Sequence, residues 1–182
     1  MSIANTSLRE VAEVLPAEAR KQGEIWLAGG CFWGLQAYLD QLNGVVYTSV
    51  GYANGNTANP SYQQVCSGDT GHAETVRVQY DPDRIALPTL LSRFFSVIDP
   101  TSVNRQGNDY GSQYRSGIYY NDPADKAVID QVIASEQEKY TEMIVTEVEP
   151  LRNYYEAEDY HQNYLQKNPG GYCHIDLSSL KN

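Results

Sequence analysis

Apolar positions along the chain change period several times, and each change marks an element. Residues 24–28 (EIWLA) form a short apolar run that Gly29 and Gly30 interrupt, which predicts a strand. Residues 31–42 carry Leu35, Tyr38, Leu39 and Leu42 at helical spacing, and Gly44 follows, which predicts a helix with one buried face. Residues 45–52 are rich in β-branched and aromatic side chains, the composition of a strand. Residues 53–71, full of Gly, Asn and Ser, predict a long loop, a kind of segment that is usually functional or disordered. In residues 72–80 (HAETVRVQY) the pattern alternates. His72, Glu74, Val76, Val78 and Tyr80 share one side of a strand, and Ala73, Thr75, Arg77 and Gln79 the other. Residues 87–98 return to helical spacing, with Leu87, Leu90, Leu91, Phe94, Phe95 and Ile98 in the stripe.

The second half continues in the same manner. Residues 100–116 are polar and irregular, and 117–121 predict a strand. Asp122 as cap with Pro123 in the first turn starts a helix to about Tyr140. Residues 143–148 predict a strand, 154–166 a final helix, and 168–182 a flexible, irregular tail. At the other end, Leu8, Val11, Ala12 and Leu15 make a short stripe that Pro16 interrupts, so residues 1–23 are expected as a peripheral arm. The central order strand–helix–strand–strand–helix–strand is the ferredoxin-like one. The expected class is α+β: a two-layer sandwich of mixed sheet and packed helices, with an extra C-terminal helix and tail, on one domain spanning residues 1–182.

Composition narrows the function. Hydrophobic residues make up 41%, a little low for a globular chain, but fifteen tyrosines add buriable ring area, so a core is expected. Thirteen basic against 23 acidic residues leave a net charge of -10, which removes the electrostatic basis for nucleic acid or anionic membrane as partner. No run of 18 apolar residues and no basic-then-apolar leader occur, so the expected place is the cytoplasm. There an odd count of three cysteines stays reduced, and any disulfide is transient. No Cys-x-x-Cys or His-x-x-x-His pair exists, so no metal site is expected of His72, His161 and His174. Nothing resembles a coiled coil, and a monomer is expected.

The sharpest local feature is Gly-Gly-Cys-Phe-Trp-Gly at 29–34. It sets Cys31 at a predicted helix start, where free backbone amides and the macrodipole lower a thiol pKa from about 8.5 toward neutrality. Phe32 and Trp33 beside it would wall a crevice suited to a neutral, methyl-like group. The plainer alternative is a small buried cysteine with core aromatic neighbours. Glu74 is the second anomaly, a carboxyl on the same strand face as Val76 and Val78. An ionised carboxylate is unfavourable there, so its pKa should rise; the alternative is a strand-end glutamate pointing to solvent.

From these residues onward the chain resembles the A-type peptide methionine sulfoxide reductases. The resemblance runs through Gly30–Gly34, 51–55 (GYANG), Tyr62, 65–74 (VCSGDTGHAE), 99–101 (DPT), 106–109 (QGND), 111–116 (GSQYRS), 159–162 (DYHQ) and 171–173 (GYC), covering about residues 24–177. It implies Cys31 as nucleophile toward the sulfoxide sulfur and Glu74 as the acid that protonates its oxygen. It implies Tyr62, Asp109 and Tyr114 as polar groups around that oxygen, and Phe32 and Trp33 as the wall for the substrate methyl group. It implies Cys173 as the thiol that converts a Cys31 sulfenic acid into a disulfide, which thioredoxin or a similar dithiol reopens. No bound cofactor is implied, the substrate is methionine S-sulfoxide, free or in proteins, and the role is repair of oxidised proteins. Cys66, His72 and His161 are expected to be structural. Rival readings are a cysteine hydrolase built on Cys31, a zinc-binding module, and a non-catalytic binder of oxidised peptides.

Overall fold

The computed structural model describes residues 22–181. The stripe expected at residues 8–15 lies outside them. Six strands form one mixed sheet in the order β7-β6-β1-β3-β2-β8. Strand β1 (Gly23–Ala28) pairs antiparallel with β3 (Ala73–Tyr80) and β6 (Gly117–Tyr120). Strand β2 (Val45–Ala53) pairs antiparallel with β3 and with β8 (Tyr154–Glu156), and β7 (Glu147–Pro150) lies parallel to β6. Helix α1 (Phe32–Leu39) connects β1 to β2, α3 (Leu87–Phe95) follows β3, and α4 (Pro123–Gln137) follows β6. Two short helices, α2 (Tyr62–Cys66) and α5 (Tyr164–Lys167), and a small hairpin of β4 (Arg105–Gln106) and β5 (Asp109–Tyr110) complete the named elements. The α+β class is as expected.

The main core lies between the sheet and the helices. From β1 come Ile25 and Leu27, from β3 Val76 and Val78, from α1 Leu35 and Leu39, and from α3 Leu90, Leu91 and Phe94, all fully buried. Burying one such side chain stabilises the fold by about 1.5–3 kcal/mol, so this layer fixes where the ends of β1 and β3 sit. Trp26, Ala28, Ala53, Ala73 and Tyr119 make a smaller cluster built from the alternate strand positions. Glu74 follows the alternation of Val76 and Val78, as its pattern predicts, and is 1% exposed.

Several boundaries differ from expectation, each for a tertiary or capping reason. Helix α1 stops at Leu39, and Asp40–Gly44 turn by local bonds into β2. The expected loop 53–71 contains α2, started by a capping box in which Ser61 Oγ accepts from Gln64 N and Gln64 Oε1 accepts from Ser61 N; the Ser-x-x-Gln signal lies in the sequence. The irregular stretch 100–116 holds the β4–β5 hairpin and a 3-10 turn at Ser112–Tyr114. The strand expected at 143–148 begins only at Glu147, because Ile144 N donates to the Gln137 side chain and Val145 N to Pro100 O instead of to a sheet neighbour. The helix expected over 154–166 is the largest miss. Residues 154–156 pair with β2, Asp159–His161 is a 3-10 turn, and Asn163 is left-handed at φ 53°. The Gln162 side chain donates to Val50 O and accepts from Val50 N, so pairing along β2 wins over helical spacing. Nor is the C-terminal tail loose: Ile175 is buried in the main core, and Leu177 and Leu180 pack against it.

Candidate active site

Strand β1 ends at Ala28, Gly30 turns the chain with φ +82°, and Cys31 occupies the N-cap of α1. The backbone amides of Trp33 and Gly34 act on the thiol in the direction that favours a thiolate. Burial acts against them and wins. Cys31 is 8% exposed, and desolvation, with the Glu74 and Asp109 carboxylates added, pushes its pKa well above the ordinary thiol range. This corrects the expectation of a lowered thiol pKa: at neutral pH the resting thiol keeps its proton. The helix start is present, but the same apolar layer that holds it in place also removes the water a thiolate needs.

Glu74 is the complementary half. One carboxyl oxygen accepts the Phe32 amide at 3.3 Å, and the other is buried with no hydrogen-bond partner among the described residues. Burial pushes the pKa up to about 8, the Phe32 amide opposes this, and Asp109 adds to it. At neutral pH the group is therefore a carboxylic acid with an unused donor. In that state its contribution to the upward shift of Cys31 vanishes, since only the ionised form repels a thiolate.

Around this pair the predicted residues converge. Tyr62 opens α2, Asp109 sits in the β4–β5 hairpin, and Tyr114 ends the 3-10 turn. Burial first, then the charge of Glu74, raises the hydroxyl pKa of Tyr114, and Asp109 and Cys31 act on it as well. Tyr62 is also raised, by burial first, and its hydroxyl contacts the exposed Cys66 thiol. Both phenols stay protonated and can donate. Phe32 is 1% exposed, and Trp33 packs at the edge of the core.

The aromatic wall has a centre that the sequence does not single out. The His161 ring, fully buried, lies 5.2 Å from Phe32, 5.7 Å from Trp33, 4.5 Å from Tyr62 and 4.0 Å from Tyr160. Its Nδ1 accepts from Trp33 Nε1 at 3.0 Å, so Nε2 carries the proton and faces Glu158 at 3.3 Å. Burial lowers its pKa, against the pull of Glu158, and the ring is neutral at pH 7. Glu158 accepts hydrogen bonds from the Tyr52 hydroxyl at 3.1 Å and from Tyr62 N at 3.0 Å. His161, expected as structural, thus forms part of the wall itself. Glu158 was missed because its three partners come from β2, α2 and the 3-10 turn, a convergence without a local signal. His72 does hold a loop: Nδ1 accepts from Gly55 N, and Nε2 donates to Thr57 O.

Cys173 docks on the first turn of α1. A methyl group at Gly34 would lie 2.9 Å from Cys173 Sγ, so only glycine leaves room for the thiol there. Gly34 follows Cys31 by three positions, on the same helix face. All three cysteines are free. Beyond Trp33 a groove of about 280 Å³ runs along α1, lined by Gln36, Asp40, Gln41 and Tyr164. It contains neither reactive group.

The family model for peptide methionine sulfoxide reductase matches residues 23–182. The chain is 59% identical over 154 residues to a peptide methionine sulfoxide reductase MsrA of Clostridium botulinum (strain Okra / Type B1), covering 85% of this chain and 98% of that protein. Its fold is similar to that of methionine sulfoxide reductase A of Corynebacterium diphtheriae, at TM-score 0.81 and 41% identity, over 84% of this chain and 77% of that one. It is also similar to the Saccharomyces cerevisiae protein Mxr1 in its complex with Trx2, at TM-score 0.58 and 28% identity, over 84% and 91%. With the family model matching nearly the whole described chain and relatives at this identity, this chain belongs to the peptide methionine sulfoxide reductases.

Proposed function

We propose that this chain reduces methionine S-sulfoxide, free or in polypeptides, by a two-thiol cycle on Cys31 and Cys173. The observation that carries the reading is Glu74, a buried carboxyl whose one oxygen accepts the amide of Phe32, the residue after Cys31, and whose other oxygen has no hydrogen-bond partner among the described residues; burial pushes its pKa up to about 8. In the first step Cys31 sulfur attacks the sulfoxide sulfur while Glu74 gives its proton to the sulfoxide oxygen. The thiol proton passes to Glu74, the oxygen ends on Cys31 as a sulfenic acid, and the sulfide leaves. Tyr62 and Tyr114 hold the oxygen through neutral donors, and Asp109 keeps negative charge nearby, which favours the protonated form of Glu74. Phe32 and Trp33, backed by His161, take the methyl group.

In the second step the Cys173 thiol displaces water from the sulfenic acid and forms a Cys31–Cys173 disulfide. A dithiol then reopens it, and thioredoxin is the reductant this reading names. The docking of Cys173 at Gly34 supports the pairing, and the Mxr1 complex with Trx2 supports the reductant. Redox equivalents pass through the thiols alone, with no resident cofactor, in a cytoplasmic monomer. The central strand order β6-β1-β3-β2, with α1 and α3 as its connections, supports the ferredoxin-like description of the sheet.

The test is single-turnover reduction of a methionine sulfoxide peptide, followed by mass spectrometry. The unchanged chain should yield methionine without reductant, and Cys31→Ser should yield none. Cys173→Ser should give one methionine per chain and stall with thioredoxin. Methionine from Cys31→Ser would end the reading.

A further inference from the structure

His174 adjoins Cys173 in sequence and is held by the glycine turn at Cys31. Its Nε2 lies 3.1 Å from Gly29 O. A carbonyl only accepts, so Nε2 carries a proton. Its Nδ1 is buried and has no hydrogen-bond partner among the described residues. A second proton on Nδ1 would leave a charged donor buried and unpaired, so Nδ1 presents a lone pair. The close approach at Gly30 reinforces the seat: a methyl group there would lie 2.7 Å from Nε2. At Gly34 the same kind of probe meets Cys173 Sγ at 2.9 Å and His174 Nδ1 at 3.5 Å. The free lone pair and the recycling sulfur therefore border one small space, on the helix turn that begins at Cys31.

We propose that His174 is the base of the recycling step: Nε2–H pins the tail to Gly29, and Nδ1 takes the proton from Cys173 as its sulfur turns toward Cys31. The inference rests on the two-thiol cycle proposed above. In the reduced chain Cys173 Sγ donates to Ile175 O at 3.2 Å, a neutral acceptor that cannot keep the proton. Once the proton passes to Nδ1, the thiolate attacks the sulfur of the Cys31 sulfenic acid. The S–O bond breaks, and the departing hydroxide takes the imidazolium proton and leaves as water. Atoms and charge balance, and the imidazole is regenerated.

The ring's surroundings suit a base. Burial lowers the His174 pKa, opposed by the Gly29 carbonyl and by Asp109 of the β4–β5 hairpin. Asp99 and Asp176 border the hollow that His174 shares with Gln106, and Cys173 lies beside it at Gly34. The net direction keeps the imidazole unprotonated at neutral pH, ready to accept.

The test uses the full reduced chain, mixed with a methionine sulfoxide peptide without reductant and quenched over time. Methionine formed and Cys31–Cys173 disulfide formed are measured in the same samples, so the first serves as reference for the second. The variant is His174→Asn, whose amide can still donate to Gly29 O but offers no base of comparable strength. Near pH 7, where an ordinary thiol is only a few per cent ionised, its disulfide should lag its methionine burst by about 10–100-fold relative to the unchanged chain. Near pH 9.5, about a unit above an ordinary thiol pKa, Cys173 ionises unaided and the lag should close. Disulfide formation that keeps pace near pH 7 would overturn the proposal, and so would an equal lag at both pH values. If the unchanged chain forms methionine but no Cys31–Cys173 disulfide, this step falls while sulfoxide reduction stands. If it forms no methionine, the function itself falls.

Discussion

Glu74 and Glu147 are both glutamates on strands of one sheet, and the fold treats them oppositely. Glu147, on β7, accepts from Arg115 Nε at 3.0 Å and from the Tyr119 hydroxyl at 2.8 Å. Its side chain keeps about a third of its surface in water. Glu74, on β3, has a single backbone amide and almost no water. One carboxylate is balanced by a guanidinium, the other by a proton of its own. The first arrangement ties β6 to β7, while the second leaves a movable proton beside a thiol. A buried carboxyl without a cation is poor for stability, and it is tolerated where the proton has a use.

The largest expected effect breaks the comparison on the Glu74 side. Glu74→Gln keeps the shape and removes the acid, so the single-turnover rate near pH 7 should fall by about 10²–10⁴-fold, while the urea midpoint should not fall. Equal rates would mean that the sulfoxide oxygen takes its proton elsewhere.

Stability against pH sharpens it next. The folded pKa of Glu74 is raised to about 8 from an ordinary value of 4.5. Between these values the folded chain holds a proton that the unfolded chain lacks, so the contribution is full below the lower value and is lost as pH rises through the higher one. Urea unfolding of Glu74→Gln should therefore gain on the unchanged chain as pH climbs, by on the order of a few kcal/mol near pH 8. A constant difference between the two proteins would contradict a buried, neutral Glu74.

On the other side, Arg115→Ala leaves Glu147 without its cation and frees Gly71 O and Ser112 O, which Arg115 also holds. Unfolding stability should fall by about 1–3 kcal/mol, read as a shift in urea midpoint. Smallest of all is Glu147→Gln, which keeps an acceptor for Tyr119 and loses an ion pair that is partly in water. It should cost no more than about 1 kcal/mol by the same measurement. A stability loss from Glu147→Gln as large as that from Arg115→Ala would show that the ion pair, not the guanidinium's carbonyl contacts, holds this corner together.

The sequence alone determined much of the placement of Cys31 and Glu74. The alternation over 72–80 puts Glu74 on the apolar face with Val76 and Val78, because a strand's period of two leaves it no other side, and the glycines at 29–34 mark Cys31 as a helix cap. It also determined the α+β class, since the switches between helical and strand spacing lie in the side chains themselves. The tertiary structure decided what no local pattern could: the protonation of Cys31, where burial outweighs the helix amides, the break of the helix expected at 154–166 by pairing with β2, and the gathering of His161, Glu158, Cys173 and His174 around α1 and β2. Local signals report a residue's own backbone preference. Solvation and long-range hydrogen bonds depend on which distant segments arrive, and that is settled only when the layers close.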